Sequence, residues 1–430
     1  MIKNIKLKEV SKLITKGTTP TTVGGRFVSS GINFIKSESV SGAKYLNNEI
    51  YEHIDVETDE KLKRSRLKAD DLLFSIAGAY LGKIAIVRDN DLPANTNQAV
   101  AIVRLDKNKV DVDFLYYYFS QIHINKYINK LSSQSSQPNL NLDLLGKLEF
   151  EYKDLQTQQK IAAVLSSLDA KIETNNRINT ELEAMAKTLY DYWFVQFDFP
   201  DANGKPYKTS GGKMVYSNEV KRDIPEGWKV QPLFKAMDVQ YGFPFDTSKF
   251  TDDTTQKPVI RIRDILENTI STYSTEEVQD KYKLNSKDLL IGMDGNFHLN
   301  FWDKDGAYLN QRSVRIRSIL NSEISNFQAY FELEPHIKAR EKNVSRTTVG
   351  HLSDKDLKRL FLVSATKNKN FNPKETFDAM LEKIISNRIQ NQELTNLRDW
   401  LLPMLMNGQV TVEDAIEQLG MVAEERAEYK

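Results

Sequence analysis

Adjacent asparagine and glutamine side chains occur twice in this chain of 430 residues, as Asn97-Gln98 and Asn310-Gln311, 213 positions apart. Each side-chain amide carries donors and an acceptor side by side, which suits it to paired hydrogen bonds with a flat polar partner. Other groups of the same repertoire surround them. In the first half these are Lys36, Ser37, Tyr80 and a polar run from Ser132 to Pro138 that supplies Ser133, Gln134 and Ser136. In the second half they are Arg261, Arg263, Asn296 and the run Ser345-Arg-Thr-Thr348, which supplies Arg346 and Thr347. Arg346 stands apart, because it places a guanidinium in a loop whose first copy is neutral. The Asn-Gln pairs recur in both copies, so a shared structural job explains them at least as well as ligand contact. This is the chemistry of binding, not of bond breaking.

Reactive groups do not converge. There is no glycine-rich phosphate loop, no His-Glu-x-x-His, no Gly-x-Ser-x-Gly elbow, and the five histidines are scattered. The Asn/Asp-Pro-Pro-aromatic motif of amino-methyltransferases is missing, since Asn372-Pro373 is followed by Lys374. A nuclease centre needs clustered acids, and Asp201 with Lys205 lacks the second one. No catalytic site is therefore expected in this chain. Lysine plus arginine and aspartate plus glutamate each total 59, so bulk charge does not hold a polyanion, although local basic faces remain open. There is no cysteine, which removes disulfides and thiolate chemistry. The N-terminal stretch has no long apolar core and no run reaches a membrane span, so a soluble cytoplasmic protein with no membrane partner is expected.

The elements that must position the polar groups come in duplicate. Gly17 and Gly242 are 225 residues apart, as are Ile35-Lys36 and Ile260-Arg261. Asp71-Leu-Leu73 recurs as Asp288-Leu-Leu290 after 217 residues, and Leu140 and Leu148 recur as Leu352 and Leu360 after 212. A stepwise shrinking offset is what two copies of one scaffold show when their loops differ in length. Strands are predicted at 32–36, 72–76, 83–87, 100–105 and 148–152, and in the second copy at 259–262, 288–293 and 313–316. Helices are predicted at 112–131, with its aromatics Phe114, Tyr116, Tyr117, Tyr118, Phe119 and Tyr127 on one packed face, and at 324–340. The segment from Asp198 is dense in proline, glycine and polar residues and reads as a linker or surface loop.

Two longer helices follow the copies. Ile161, Leu165, Leu168, Ile172, Asn175, Asn179, Leu182, Ala186, Leu189 and Trp193 alternate spacings of four and three, as do Phe377, Met380, Ile384, Asn387, Asn391, Leu394, Arg398, Leu401 and Leu405. That is a heptad seam, with two asparagines in the middle of each. Asp154 caps the first helix, and Asn372, Pro373 and Glu375 start the second. Antiparallel pairing about the asparagines sets Asn175 against Asn391, Asn179 against Asn387, Ile161 against Leu405 and Trp193 beside Pro373. About 40 residues make a rod of roughly 60 Å. The expected fold is α+β, with two similar α/β domains separated by two long helices that form an antiparallel coiled coil, an internal pseudo-two-fold repeat. The expected boundaries are 1–153 and 224–371 for the domains, 154–197 and 372–410 for the helices, 198–223 for the linker and 411–430 for a tail.

In this order the features resemble a known family. The string Tyr192-Trp-Phe-Val-Gln-Phe-Asp-Phe-Pro200, the linker Gly204-Lys-Pro-Tyr-Lys208, the opening Ile224-Pro-Glu-Gly-Trp228 and the ending Leu401-Leu-Pro-Met-Leu-Met-Asn-Gly-Gln-Val410 are similar to the specificity (S) subunits of type I restriction–modification enzymes, the HsdS family. The likeness spans nearly the whole chain. The first domain departs from it by lacking an Ile-Pro-x-Gly-Trp opening, and Leu155 stands where the family often has proline. The resemblance implies a non-catalytic subunit that reads a bipartite target in double-stranded DNA, one half-site per target-recognition domain. It implies two methyltransferase (M) subunits that bind S-adenosylmethionine and methylate adenine N6, with restriction (R) subunits using ATP and Mg in the full complex. It implies no cofactor or metal in this chain, and helices that dock the M subunits and set the spacer. The polar residues named above then become the DNA-contact candidates. The alternative reading is a coiled-coil scaffold whose end domains bind proteins or RNA.

Overall fold

A computed structural model describes residues 3–132, 139–342 and 350–417. The chain divides into two compact units, Met1–Lys171 with Leu394–Lys430, and Ile172–Glu393, so the division falls inside both long helices.

The first unit is built on a four-stranded antiparallel sheet in the order Ser11–Lys16, Val100–Leu105, Leu72–Ser75, Ile84–Ile86. Its central strand Leu72–Ser75 is buried on both faces. Leu72 and Phe74 join the main core with Phe114 and Phe119, while Leu73 faces a second cluster with Ile35 and Ala85. This is the period-two alternation of a strand covered on both sides. A second sheet orders Phe27–Val28, Glu52–Ile54, Ile32–Ile35 and Ala94–Thr96, the last pair parallel and the rest antiparallel. The ends of the domain are tied by Lys3–Lys6 pairing with Glu149–Tyr152.

The second unit repeats this strand by strand. Met237–Tyr241, Ser313–Ser318, Leu289–Gly292 and Leu299–Phe301 form the four-stranded sheet. Phe250–Thr251, Tyr273–Ser274, Lys257–Ile260 and Tyr308–Leu309 form the other, again with one parallel pair. Lys229–Pro232 pairs with Phe361–Ser364. Buried Asp71 takes two hydrogen bonds from Arg104 at 2.8 and 2.7 Å, and buried Asp288 takes two from Arg317 at 2.6 Å. Just before each aspartate the chain turns through a left-handed residue, Asp70 at φ 66° and Lys287 at φ 73°. Gly17 and Gly242 are glycines for one reason: a Cβ would lie 1.9 Å from the carbonyl oxygen of Thr96 or Asn310.

Each unit takes part of both long helices, and in each the two helices run antiparallel. In the second unit Asn175 donates to Asn391 at 2.9 Å and Asn387 donates to Asn179 at 2.8 Å. Asn175 is also bonded to Gln390, and Asn391 to Asn176. A buried amide pair of this kind adds only about 1 kcal/mol, whereas burying a leucine contributes roughly 1.5–3 kcal/mol. The asparagines therefore specify alignment at the expense of stability. Trp193 meets Phe371 at 5.2 Å and Phe377 at 5.7 Å between ring centroids, on either side of Pro373 in sequence. In the first unit Ile161, Leu165 and Leu168 share a core with Leu401 and Leu405. There the seam position Arg398 is occupied by an ion pair, donating to Asp169 at 2.7 Å, and Tyr117 donates to the other oxygen of Asp169. Lys44, buried beside them, reaches Asp113 at 2.9 Å and Ser166 at 2.8 Å, so a loop of the first domain is tied to its helix.

Both helix starts have the expected caps. Asp154 accepts from the Thr157 amide at 3.0 Å, while Asn372 and Glu375 are bonded side chain to side chain at 2.7 Å. Other expectations need correcting. The helix expected at 112–131 is two, Val112–Ser120 and Ile122–Ser132, because Gln121 turns to ψ 138° and its amide caps the Tyr118 carbonyl. Of its aromatics Tyr127 is exposed, off the packed face. The strand expected at 259–262 is Lys257–Ile260, after which Ile262–Ile265 is a helical turn held by Asp264 accepting from the Arg261 amide. The first long helix ends in a π-helical turn, Asp191–Val195. The segment read as a surface loop contributes Phe199 to the core, stacked on Tyr207 and Phe371 and packed on Trp228, and its Met214–Ser217 pairs with Arg222–Pro225. The family-like aromatic strings are thus one hydrophobic cluster.

Two outcomes are expected. Asn387→Leu strands the Asn179 amide and lowers stability by about 1–3 kcal/mol, whereas adding Asn179→Leu to it recovers much of that loss. Thermal unfolding of the four forms in a double-mutant cycle checks it. Glu332 accepts from Gln328 at 2.7 Å and the Val363 amide at 2.9 Å, and burial pushes its carboxyl up to about 7. The folded chain therefore holds a proton that the unfolded chain releases near 4.5. Its contribution is fully present below that pH and is lost as the pH rises to about 7. Melting temperatures across that window should fall, and Glu332→Gln should flatten the slope.

Candidate nucleic-acid interface

In each unit the parallel strand pair delivers candidates to one place. Ile35 lies opposite Thr96, so Lys36 and Asn97 leave the pair side by side, and the Thr96 hydroxyl donates to the Ile35 carbonyl at 2.7 Å. In the second unit Ile260 lies opposite Leu309, and the Asn310 amide donates to the Ile260 carbonyl at 3.0 Å, setting Arg261 beside Asn310. The long cation sits over a ring in both: Lys36 is 5.2 Å from the Phe27 centroid, and Arg261 is 5.8 Å from that of Phe250. The two are not spent alike. Lys36 is paired with Glu52 at 2.5 Å, whereas Arg261 has no ion pair among the described residues.

The remaining candidates divide by what holds them. Ser37 donates to Glu38 at 3.1 Å, and its turn packs against the turn Gly78–Tyr80, which carries half-buried Tyr80. Asn97 accepts from the Ala99 amide at 3.0 Å, and Asn310 from the Gln311 amide at 2.8 Å. Both asparagines thus brace their own turns, a structural job. Gln98 and Gln311 beside them are exposed, and Gln98 accepts from the Thr19 hydroxyl. Asn296 is exposed on the loop after the strand Leu289–Gly292, at the rim of a 410 Å³ groove with Tyr330, Glu334 and Lys338. Arg263 points elsewhere, bonded to Ser271 at 3.2 and 3.1 Å and to Thr272 at 3.4 Å. Ser133, Gln134, Ser136, Arg346 and Thr347 lie outside the described residues.

The residues that follow the two polar runs join the frame at the same point. Asn139, just after the first run, bridges to Ala77, and the Leu140 amide donates to the Ile76 carbonyl at 2.9 Å. His351, just after the second, bridges to Asp294, and the Leu352 amide donates to the Met293 carbonyl at 2.8 Å. The next amides on the frame match as well: Ile76 donates to the Ala99 carbonyl and Met293 to the Arg312 carbonyl, each at 2.8 Å. The main-chain hydrogen bonds are the same in both units and the side chains are not. Where the first has Ala77, Ala99 and Asn139, the second has Asp294, Arg312 and His351. His351 Nδ1 and Asp294 Oδ1 are 2.6 Å apart, and Arg312 Nε is 3.5 Å from Asp294 Oδ2. Sequence reasoning passed over these three. Laying the copies on each other at offsets of 217, 213 and 212 would have exposed them as charge substituted for alanine or amide.

Among the described residues no cluster of histidine, aspartate and glutamate could hold a metal ion, and no helix is long and apolar enough to cross a membrane. Comparison with known proteins agrees with the architecture. The chain is 25% identical over 419 residues to the type I restriction enzyme MjaIX specificity subunit of Methanocaldococcus jannaschii, covering 95% of this chain and 93% of that one. It is 24% identical over 443 residues to the HindI specificity subunit of Haemophilus influenzae, covering 88% and 94%. The crystal structure of a type I restriction–modification S subunit from M. genitalium shares its fold, with a TM-score of 0.55 at 14% identity over 94% of this chain and 96% of that one. The sequence profile of the type I restriction modification DNA specificity domain matches residues 2–184 and again 225–362, most of the chain and both copies of the frame, and the chain belongs to that HsdS family.

Proposed function

We propose that the chain is the DNA-specificity subunit of a type I restriction–modification complex and that each unit takes one half of a bipartite target. The observation that carries this is the pair of matching frames with unlike side chains at one place. A shared backbone gives both units the same approach to a duplex, and different groups on it select different bases. Positions with like chemistry in both units, Lys36 with Arg261, suit the sugar–phosphate backbone, which is the same at every sequence. Positions with unlike chemistry suit base edges.

The chain supplies recognition and no chemistry of its own. The reaction belongs to partners: two methyltransferase subunits that bind S-adenosylmethionine and dock on the long helices, and restriction subunits that use ATP and Mg. The complex acts in the cytoplasm, where the DNA is.

The direct test is recovery of the methyltransferase subunit that co-purifies with the chain from its host, co-expression of the two, and genome-wide mapping of N6-methyladenine. A two-part motif with an unread spacer is expected; absence of a methyltransferase partner, or methylation without a motif, refutes the assignment. Arg261→Ala should weaken binding of the assembled complex to all duplexes alike and reduce its salt slope by about one. Affinity titrations at several salt concentrations read both quantities.

A further inference from the structure

The assignment of DNA reading to the second unit leaves open which group there distinguishes one base pair from another. We propose that Arg312 is that group, that it reads the major-groove edge of a guanine, and that Asp294 is its positioning residue. The inference rests on the function proposed above.

Arg312 is built into the frame rather than draped over it. Its carbonyl accepts from the Met293 amide at 2.8 Å, and its φ is 69°, in the left-handed region that side chains other than glycine's disfavour. Ala99 makes the same carbonyl contact in the first unit without entering that region. The departure is therefore specific to the copy that carries arginine. The side chain is 60% exposed. Only its inner nitrogen approaches a partner, Nε at 3.5 Å from Asp294 Oδ2, and among the described residues no acceptor meets Nη1 or Nη2. Asp294 is itself steadied from the other side, its second oxygen being 2.6 Å from His351 Nδ1. A guanidinium braced at one edge by a carboxylate presents two parallel N–H groups at the other. That fork matches guanine O6 and N7, the commonest specific contact in a major groove.

A phosphate contact would use the same charge but has a different signature. Phosphate is common to all sequences and does not require the two units to differ, yet at these three positions they differ completely: Ala77, Ala99 and Asn139 against Asp294, Arg312 and His351. With uncharged groups at these positions in the first unit and the Asp294–Arg312 pair in the second, the two take half-sites of different composition, the second containing a G·C pair.

The test uses the assembled complex with its methyltransferase subunits and S-adenosylmethionine on a randomised duplex library, read by sequencing the methylated fraction. Arg312→Ala should lose the preference for guanine at one position of one half-site, a drop of roughly 5- to 150-fold for the preferred base, with the other half-site unchanged. The intact half-site shows that the variant is folded and assembled. Asp294→Asn should relax the same position to a smaller degree, and Arg312→Lys should not restore it, since an ammonium lacks the fork. The inference is overturned if Arg312→Ala leaves the motif unchanged, or if all sequences weaken equally and Arg312→Lys restores them, the mark of a phosphate contact. A wild-type complex that selects no motif would instead overturn the DNA-reading function beneath it.

Discussion

Two asparagine pairs hold the second unit in alignment. An amide buried between helices has to find another amide, and Asn175 with Asn391 and Asn179 with Asn387 do so only when the helices run in opposite directions in one register. A shift by one turn would keep one asparagine opposite another but set the other two against leucine or isoleucine, leaving their amides unbonded at about 1–3 kcal/mol each. The first unit reaches the same antiparallel arrangement with an ion pair, Asp169 with Arg398, and a layer of leucines. The recognition sheets hang on these helices. Lys44 ties one of them through Asp113 and Ser166, and the aromatic cluster around Trp228, Phe199 and Phe371 ties the other.

Duplication makes the constraint economical. Each copy needs the same few backbone decisions: a glycine where a carbonyl comes within reach of a Cβ, a left-handed residue ahead of a buried aspartate, and an arginine to satisfy that aspartate twice. None of these depends on what is bound. Once they are met, positions 77, 99 and 139 and their counterparts 294, 312 and 351 are free to change side chains without disturbing the core, because the hydrogen bonds that hold the frame there are made by main chain. The amides of Ile76 and Met293 find carbonyls whether alanine or arginine supplies them. A protein that has to acquire new targets is well served by a frame that is indifferent to its reading groups.

This separation also explains why the reading groups are hard to name from composition. Asn97 and Asn310 have the donors and acceptors that suit a base edge, and both use them to brace their own turns. Arg263 is exposed and cationic, and it is spent on Ser271 and Thr272. Residue type lists capacity, whereas neighbours decide how much of it is left over.

The repeat, the seam, its asparagine register and the start caps of both long helices were legible in the chain, because they are periodic or local: heptad spacing and a cap at a helix start are decided within a few residues. The inner strands of the four-stranded sheets, Leu72–Ser75, Val100–Leu105, Leu289–Gly292 and Ser313–Ser318, were legible because their buried aliphatic residues stand close together, whereas the edge strands Ser11–Lys16, Met237–Tyr241 and Leu299–Phe301 carry too few of them and were not. Tertiary structure decided what depends on partners distant in sequence. The break at Gln121 turns on a side chain capping a carbonyl, and the burial of Phe199 on Trp228 and Phe371 arriving from elsewhere. The meeting of Asp294, Arg312 and His351 depends on three loops from separate parts of the chain. Their chemistry is written in three separate places, and only folding makes it one surface.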